Sequence, residues 1–249
     1  MNEKLRHKNS DSMLAGKTII VTGAGRGIGK AIAHAVAARG MRVALLARTE
    51  KEITQEADVI RDGGGEALPL ACDVSDPAQV TAAVAQCKAK FGVIDALVNN
   101  AGAFLEAPIP EIKLEDWDYV FRVNVTGPLL FMQSLLPIMT EQGGGKIINI
   151  ASTAGLQAYL HQSAYCASKH ALLGLSRCLA LEAKPHNVHV HSICPGGVRT
   201  GFIAKTNLGQ RLEGQVIIEP EDVAETVVFL LGQPDNIDIP EIVMRRCQP

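Results

Sequence analysis

The sequence lacks any C-x-x-C pair. Its six cysteines, Cys72, Cys87, Cys166, Cys178, Cys194 and Cys247, are scattered, four of them within apolar stretches. This argues against a thiolate metal clamp, and a chain of 249 residues has no need of a disulfide framework. Reduced, buried thiols are the simplest account. Metal-ligand spacing is missing as well. His186, His189 and His191 straddle a strand-like alternation without companion ligands, so no metal is expected. Charge of one sign is not in excess either: 24 Lys and Arg stand against 26 Asp and Glu, a net charge of −2. A general nucleic-acid or polybasic membrane binder would need such an excess. The first twelve residues are polar and charge-rich, with no apolar segment of the kind a signal peptide carries. No uninterrupted apolar run reaches the length of a membrane span. A cytoplasmic protein with a flexible tail over residues 1–12 is expected.

What is present is ordinary globular material, 47% hydrophobic and 20% charged, in a chain long enough to bury a sizeable core. Apolar, β-branched runs at 17–22, 42–47, 67–72, 93–98, 146–150, 188–193 and 237–243 read as strands. Helical stretches separate them: 28–39, 51–60, one opened by Asp76-Pro77, 114–139, 163–182 and 219–231. Gly127-Pro128 and Pro137 are expected interruptions of the helix over 114–139. Continuous apolar strands alternating with helices imply a doubly wound parallel sheet of about seven strands, with helices on both faces. Residues 13–249 therefore read as one α/β domain of Rossmann type. Ligands of such sheets sit beyond the carboxyl ends of the strands.

The residues at those ends carry chemistry. Tyr165 and Lys169 lie four apart in a helical stretch, so both side chains can enter one site. An adjacent ammonium is expected to pull the phenol pKa down and make the tyrosine a proton shuttle. Thr22-Gly-Ala-Gly-Arg-Gly-Ile-Gly29 ends the first strand. It does not fit G-x-G-x-x-G, but it fits G-x-x-x-G-x-G through Gly23, Gly27 and Gly29, with Ile28 between the last two. Such a turn lets a pyrophosphate approach a helix N-terminus. The second strand ends in Ala47, Arg48 and Thr49, with no acid at position 47. Arg48, joined by Arg26 in the glycine turn, suits the 2′-phosphate of NADP(H).

Taken in order, these motifs resemble the short-chain dehydrogenase/reductase family over nearly the whole chain. The resemblance rests on the glycine turn, Cys72-Asp-Val74, Asn99-Asn-Ala-Gly102, Asn124, Ser152, Tyr165-x-x-x-Lys169 and Pro195-Gly196. It implies hydride exchange between NADP(H) and a ketone, aldehyde or secondary alcohol. Tyr165 would be the general acid, and Lys169 would tune it and hold the nicotinamide ribose. Ser152 would bind the substrate carbonyl, and Asn124 would hold a water relaying protons to Lys169. Asp73 and Val74 would contact adenine, and Asn100, Ala101 and Gly102 would line the cofactor cleft. Pro195, Gly196, Val198 and Thr200 would meet the nicotinamide carboxamide. The substrate wall would draw on Ala103, Phe104, Thr153, Ala154, Leu156, Tyr159, His161, Phe202, Ile203 and Leu208. The segment 200–215 reads as a mobile lid, and His161 as wall or surface more than as a second acid or base.

The chain end, Asp238 to Pro249, lacks the glycine-rich ending of many 3-oxoacyl-[acyl-carrier-protein] reductases of the family. That reductase activity remains an alternative to a general carbonyl reductase. An NADPH-sensing regulatory protein is the alternative from another class. The resemblance also implies a homodimer through the two long helices, or a homotetramer.

Overall fold

The computed structural model describes residues 13–202 and 217–247. Seven strands form one sheet: β1 Thr18–Thr22, β2 Arg42–Ala47, β3 Glu66–Ala71, β4 Ala96–Asn99, β5 Gly145–Ile150, β6 Val188–Pro195 and β7 Glu241–Met244. All pairs are parallel and the order is β3-β2-β1-β4-β5-β6-β7. The order reverses beside β1, the switch point where a doubly wound sheet opens a crevice. The helices are α1 Gly27–Ala37, α2 Glu50–Asp62, α3 Pro77–Phe91, α4 Leu114–Phe121, α5 Gly127–Gln142, α6 Ser163–Ala183 and α7 Pro220–Leu231.

Strand side chains alternate between the two faces. Ile19 and Val21 of β1 join Val43, Leu45 and Ile148 in one core, closed by α1, α2 and α7. Ile20 joins Ala44, Leu46, Leu97 and Ile147 in the other, closed by α3, α5 and α6. Continuous apolar strands are the consequence of this two-sided cover. Pro69 fits in β3 because β3 is an edge strand, where the missing N–H costs no ladder bond on the open side.

Two strand expectations shift. β4 starts at Ala96 rather than at 93, because Asp95 turns its carboxylate to accept the Thr18 N–H at 2.7 Å. β7 starts at Glu241 rather than at 237: Pro240 has no N–H to offer, and its carbonyl accepts from Ser192 instead. The helix ends follow their signals. Asp76 accepts from the Ala78 and Gln79 N–H groups with Pro77 in the first turn, and Glu219 and Asp222 form a reciprocal capping box.

The expected long helix over 114–139 is built differently. A π-helical turn, Arg122–Thr126, joins α4 to α5, and Pro137 stays inside α5 without ending it. The wide turn rotates Asn124 inward, where it bonds the backbone of Ala103 in both directions. By length and composition alone, Leu114–Gln142 could span a membrane. Here its Phe131, Met132, Leu135 and Met139 fill the second core. The expected tail over 1–12 lies outside the described residues, as do Ile203, Leu208, most of the lid segment and the last two residues.

Phe131 is fully buried, so Phe131→Ala should leave a cavity and cost about 3–5 kcal/mol. Urea denaturation followed by circular dichroism would measure it, and a loss below about 1 kcal/mol would contradict the assignment of Phe131 to the core.

Candidate active site

The carboxyl ends of the strands open onto a cavity of about 520 Å³. Its floor begins with the glycine turn. Gly23 and Gly27 hold φ of 66° and 54°, conformations that side chains resist. A Cβ at Gly29 would stand 2.2 Å from the Gly23 carbonyl oxygen, so only glycine lets α1 start this close to β1. The turn thereby presents the α1 N-terminus to the cavity, a place suited to an anion.

The turn is tied to β4 through Thr22. Its Oγ1 accepts from Asn100 N at 2.9 Å and Ala101 N at 3.0 Å, and donates to the Val98 carbonyl. Asn100 Nδ2 in return donates to the Thr22 and Gly23 carbonyls. Asn100 is thus both a wall of the cleft and a clamp on its floor.

At the β2–β3 end stand Arg26, Arg48, Thr49, Asp73 and Val74. Arg48 Nη1 donates to the Tyr119 hydroxyl at 2.8 Å, and the guanidinium lies 6.0 Å from the Tyr119 ring centroid. Tyr119 is a residue the sequence reading missed; it stands 71 positions from Arg48, beyond any local spacing. Glu52 was missed too. It is in the first turn of α2, lines the cavity and packs against the glycine turn at Gly25. The two arginines of this end therefore share it with two carboxylates, Glu52 and Asp73. Asp73 uses one oxygen on the Ser75 N–H and hydroxyl.

In the middle of the cavity Ser152, Tyr165 and Lys169 converge. Ser152 follows β5, and Tyr165 and Lys169 project from one face of α6. Lys169 is 4% exposed, and its Nζ donates to the Ile150 carbonyl at 2.9 Å. A lysine ammonium has three donors, so two more serve whatever enters the cleft. Burial pushes Lys169 down to about 8. Burial likewise pushes Tyr165 up to about 12, with a hydrogen bond from Ser152 acting in the opposite direction. This corrects the expectation of a phenol lowered by its lysine. Desolvation of the phenolate outweighs the rest, and the ammonium stands 5.7 Å from the ring centroid. Phe104 meets the Tyr165 ring edge-on at 4.9 Å, and Phe202 lies 6.4 Å from it.

Every other expected cofactor residue except Gly29 lines the cavity: Ile28, Ala101, Gly102, Pro195, Gly196, Val198 and Thr200 among them. Gly29 does not, since its part is the close approach beneath the floor. Asn124 does not either. Its side chain is spent on Ala103 and on Ser168, so a water held by that side chain is not what the geometry offers. Of the expected substrate wall, Phe104, Thr153, Ala154, Tyr159 and Phe202 line the cavity, whereas Ala103, Leu156 and His161 do not. His161 holds a φ of 62°, is exposed, and accepts from Ala107 N with its carbonyl. Gln157, Gln162, Arg245 and Arg246 also line it and were not foreseen.

A family model described as short chain dehydrogenase matches residues 17–211. The chain belongs to the short-chain dehydrogenase family. An uncharacterized oxidoreductase of Staphylococcus saprophyticus is 36% identical over 233 residues, which are 93% of this chain and 98% of that protein. Among solved structures, a 7α-hydroxysteroid dehydrogenase complexed with NADH and 7-oxo glycochenodeoxycholic acid superposes with a TM-score of 0.88. It is 29% identical, with 94% of this chain and 95% of that one covered. A metagenomic short-chain oxidoreductase in complex with NADP gives a TM-score of 0.83 and 36% identity, with 95% and 100% covered. The chain is accordingly an oxidoreductase of this family that uses a nicotinamide cofactor and acts on a small molecule. The cleft fits such a dinucleotide on its own evidence: a cradle that a Cβ would fill, and a buried lysine with donors to spare.

Lys169 is held charged against its desolvation. Below about pH 8 the folded state carries this buried charge, and Lys169→Met should then be more stable to urea than the wild type. The gap should close as pH rises from about 8 to the ordinary lysine value of about 10.4, because over that window the unfolded chain binds the extra proton. Parallel unfolding curves at pH 7 and pH 10 test this; a gap that widens with pH contradicts it.

Proposed function

We propose that the protein is an NADP(H)-dependent carbonyl reductase, reversible as a secondary-alcohol dehydrogenase, working in the cytoplasm as a homodimer or homotetramer. The observation that carries the reading is the convergence of Ser152, Tyr165 and Lys169 beside the glycine turn in one cavity. The chemistry a nicotinamide dinucleotide supplies when bound is hydride transfer to or from carbon. The glycine turn, Asn100, Val198 and Thr200 would hold the dinucleotide, and Lys169 would bond its ribose. The Ser152 hydroxyl and the Tyr165 phenol would grip the substrate oxygen. Tyr165 delivers a proton to that oxygen as negative charge develops on it, and a phenol kept protonated by burial is in the state that this task needs. Lys169, charged below about pH 8, stabilises the phenolate left behind. Phe104 and Phe202 exclude water from the reacting oxygen.

Preference for NADP(H) rests on Arg48 and Arg26 against the opposing charge of Glu52 and Asp73. Arg48 is pre-oriented by Tyr119, which lowers the ordering cost of gripping a phosphate. Glu52 is the observation that favours a second reading, use of NAD(H), through a bond to a free ribose 2′-hydroxyl. Exposed Leu114 and Leu181 on α4 and α6 support association between copies through those helices. Reduction of 3-oxoacyl-[acyl-carrier-protein] is a further substrate reading, which the chain end weakens. An NADPH-sensing role is weakened by a site in which Ser152, Tyr165 and Lys169 stand together.

Two experiments test this reading. Tyr165→Phe should lower kcat for carbonyl reduction by at least about 10³-fold while the Kd for NADPH stays within about threefold; a variant with near-wild-type kcat would sink the role of Tyr165. For the cofactor, the ratio of kcat/KM with NADPH to that with NADH should fall at least about tenfold in Arg48→Asp and rise in Glu52→Gln. Wild-type preference for NADH, with no response to either change, would decide for NAD(H).

A further inference from the structure

The carboxyl end of β7 adds something that the catalytic groups do not explain. Met244 pairs with Pro195 in the β6–β7 register, and its carbonyl accepts from Gly196 N at 2.9 Å. The next two residues, Arg245 and Arg246, therefore emerge beside the turn that follows β6. Both line the cavity that holds Ser152 and Tyr165. Arg245 is exposed at the mouth; Arg246 is half-buried and engaged in a contact of its own.

The charge around the cavity is divided. Among the described residues, the carboxylates that line it are Glu52 and Asp73, at the β2 and β3 ends. From β7 to β2 is five strand spacings, on the order of 24 Å. The same cavity is lined by aromatic rings, Phe104, Tyr159 and Phe202, of which Phe104 and Phe202 pack against Tyr165, and by the neutral amides of Gln157 and Gln162. A guanidinium pair at one end of an apolar wall, with the acids at the other end of the cleft, favours a ligand of apolar body and anionic head.

We propose that Arg245, reinforced by Arg246, is an anion-binding subsite that selects carbonyl substrates carrying a carboxylate or a phosphate. The proposal rests on the reductase reading above and narrows its substrate class. Anchoring a remote anion would bring the carbonyl to Ser152 and Tyr165, so its effect should sit in KM more than in kcat.

The test compares 4-formylbenzoate, its methyl ester and 4-formylphenyl phosphate with the NADPH complex. Both turnover and equilibrium binding by calorimetry are read. We expect kcat/KM for one of the anions to exceed that of the ester at least about tenfold, through KM, and to decline with added salt. Preference for the carboxylate or for the phosphate names the anion. The preference should collapse in Arg245→Met/Arg246→Met and survive in Arg245→Lys/Arg246→Lys, a rescue that a purely structural role would not show. Equal use of acid and ester by the wild type overturns the subsite and leaves the reductase reading standing. A double variant that loses NADPH affinity while its anion-to-ester ratio holds also overturns it, by assigning the arginines to the cofactor. Absence of turnover with all three compounds counts against the reductase reading. Calorimetry then decides the subsite separately, since an anion bound no tighter than the ester refutes it.

Discussion

The Thr22 hydroxyl ties together the two lips of the crevice. Thr22 Oγ1 accepts two backbone N–H groups from the turn after β4 and donates to the strand that carries it. β1 and β4 are the neighbours at which the strand order reverses, and the chains leaving them diverge to opposite faces of the sheet. A crevice opens there for topological reasons alone. What makes it a shaped site is that its two lips are bonded to each other: Thr22 holds the Asn100 turn, and Asn100 holds the carbonyls of the glycine turn. The close approach at Gly29 then follows, because α1 can start against Gly23 only while both stay in place. The same logic repeats one layer out, where Asn99 donates to Asn149 and Asn149 donates to Ser176, linking β4, β5 and α6 through buried polar groups. The helix that carries Tyr165 and Lys169 is thereby referenced to the strand that carries the cofactor turn.

Against that rigid frame, Lys169 is placed at a cost to stability. A lysine buried to 4% exposure is a poor choice for a core, whereas Tyr165, neutral below about pH 10 in the folded and the unfolded chain alike, carries no such cost at neutral pH. Their opposed shifts have one cause, low polarity, acting on an acid that is neutral when protonated and on a base that is charged when protonated. The result drives the two groups apart, the phenol up to about 12 and the ammonium down to about 8. Below about pH 8 the site holds an ammonium beside a protonated phenol, from which the proposed reduction would draw its proton. Stability is surrendered where chemistry needs the charge, and the frame supplies the margin.

Much of this was legible in the sequence because it was local. Asp76-Pro77 had to open a helix, the strands had to be buried on both faces, and Tyr165 and Lys169 had to share a face. The sites beyond strand ends followed from the topology that those elements imply. What was illegible depended on contacts distant in sequence. Asn124 reads as a polar residue in a helix; only the π-turn shows that its amide is consumed by Ala103, 21 positions away. Tyr119 has no reason to matter until β2 brings Arg48 beneath it. The direction of the Tyr165 shift was misread for a related reason: charge proximity can be inferred from i, i+4 spacing, whereas desolvation belongs to the whole cavity and outweighs it.

The distribution of charge along the cleft follows from strand order in the same way. Positions 48, 52 and 73 are near one another because β2 and β3 are neighbours at one edge, and positions 245 and 246 are far from them because β7 closes the other edge. A net charge of −2 conceals this. Each end of the cleft has guanidinium groups, and among the described lining residues the carboxylates stand at the β2–β3 end. An incoming molecule therefore meets an electrostatic asymmetry that composition cannot reveal. In the proposed reading, cofactor choice would be decided where arginine competes with Glu52, and substrate choice where, among the described lining residues, no acid competes with Arg245. The sheet separates the two decisions by several strands, so that each can be altered by changing one strand's tail without disturbing Ser152, Tyr165 and Lys169 between them.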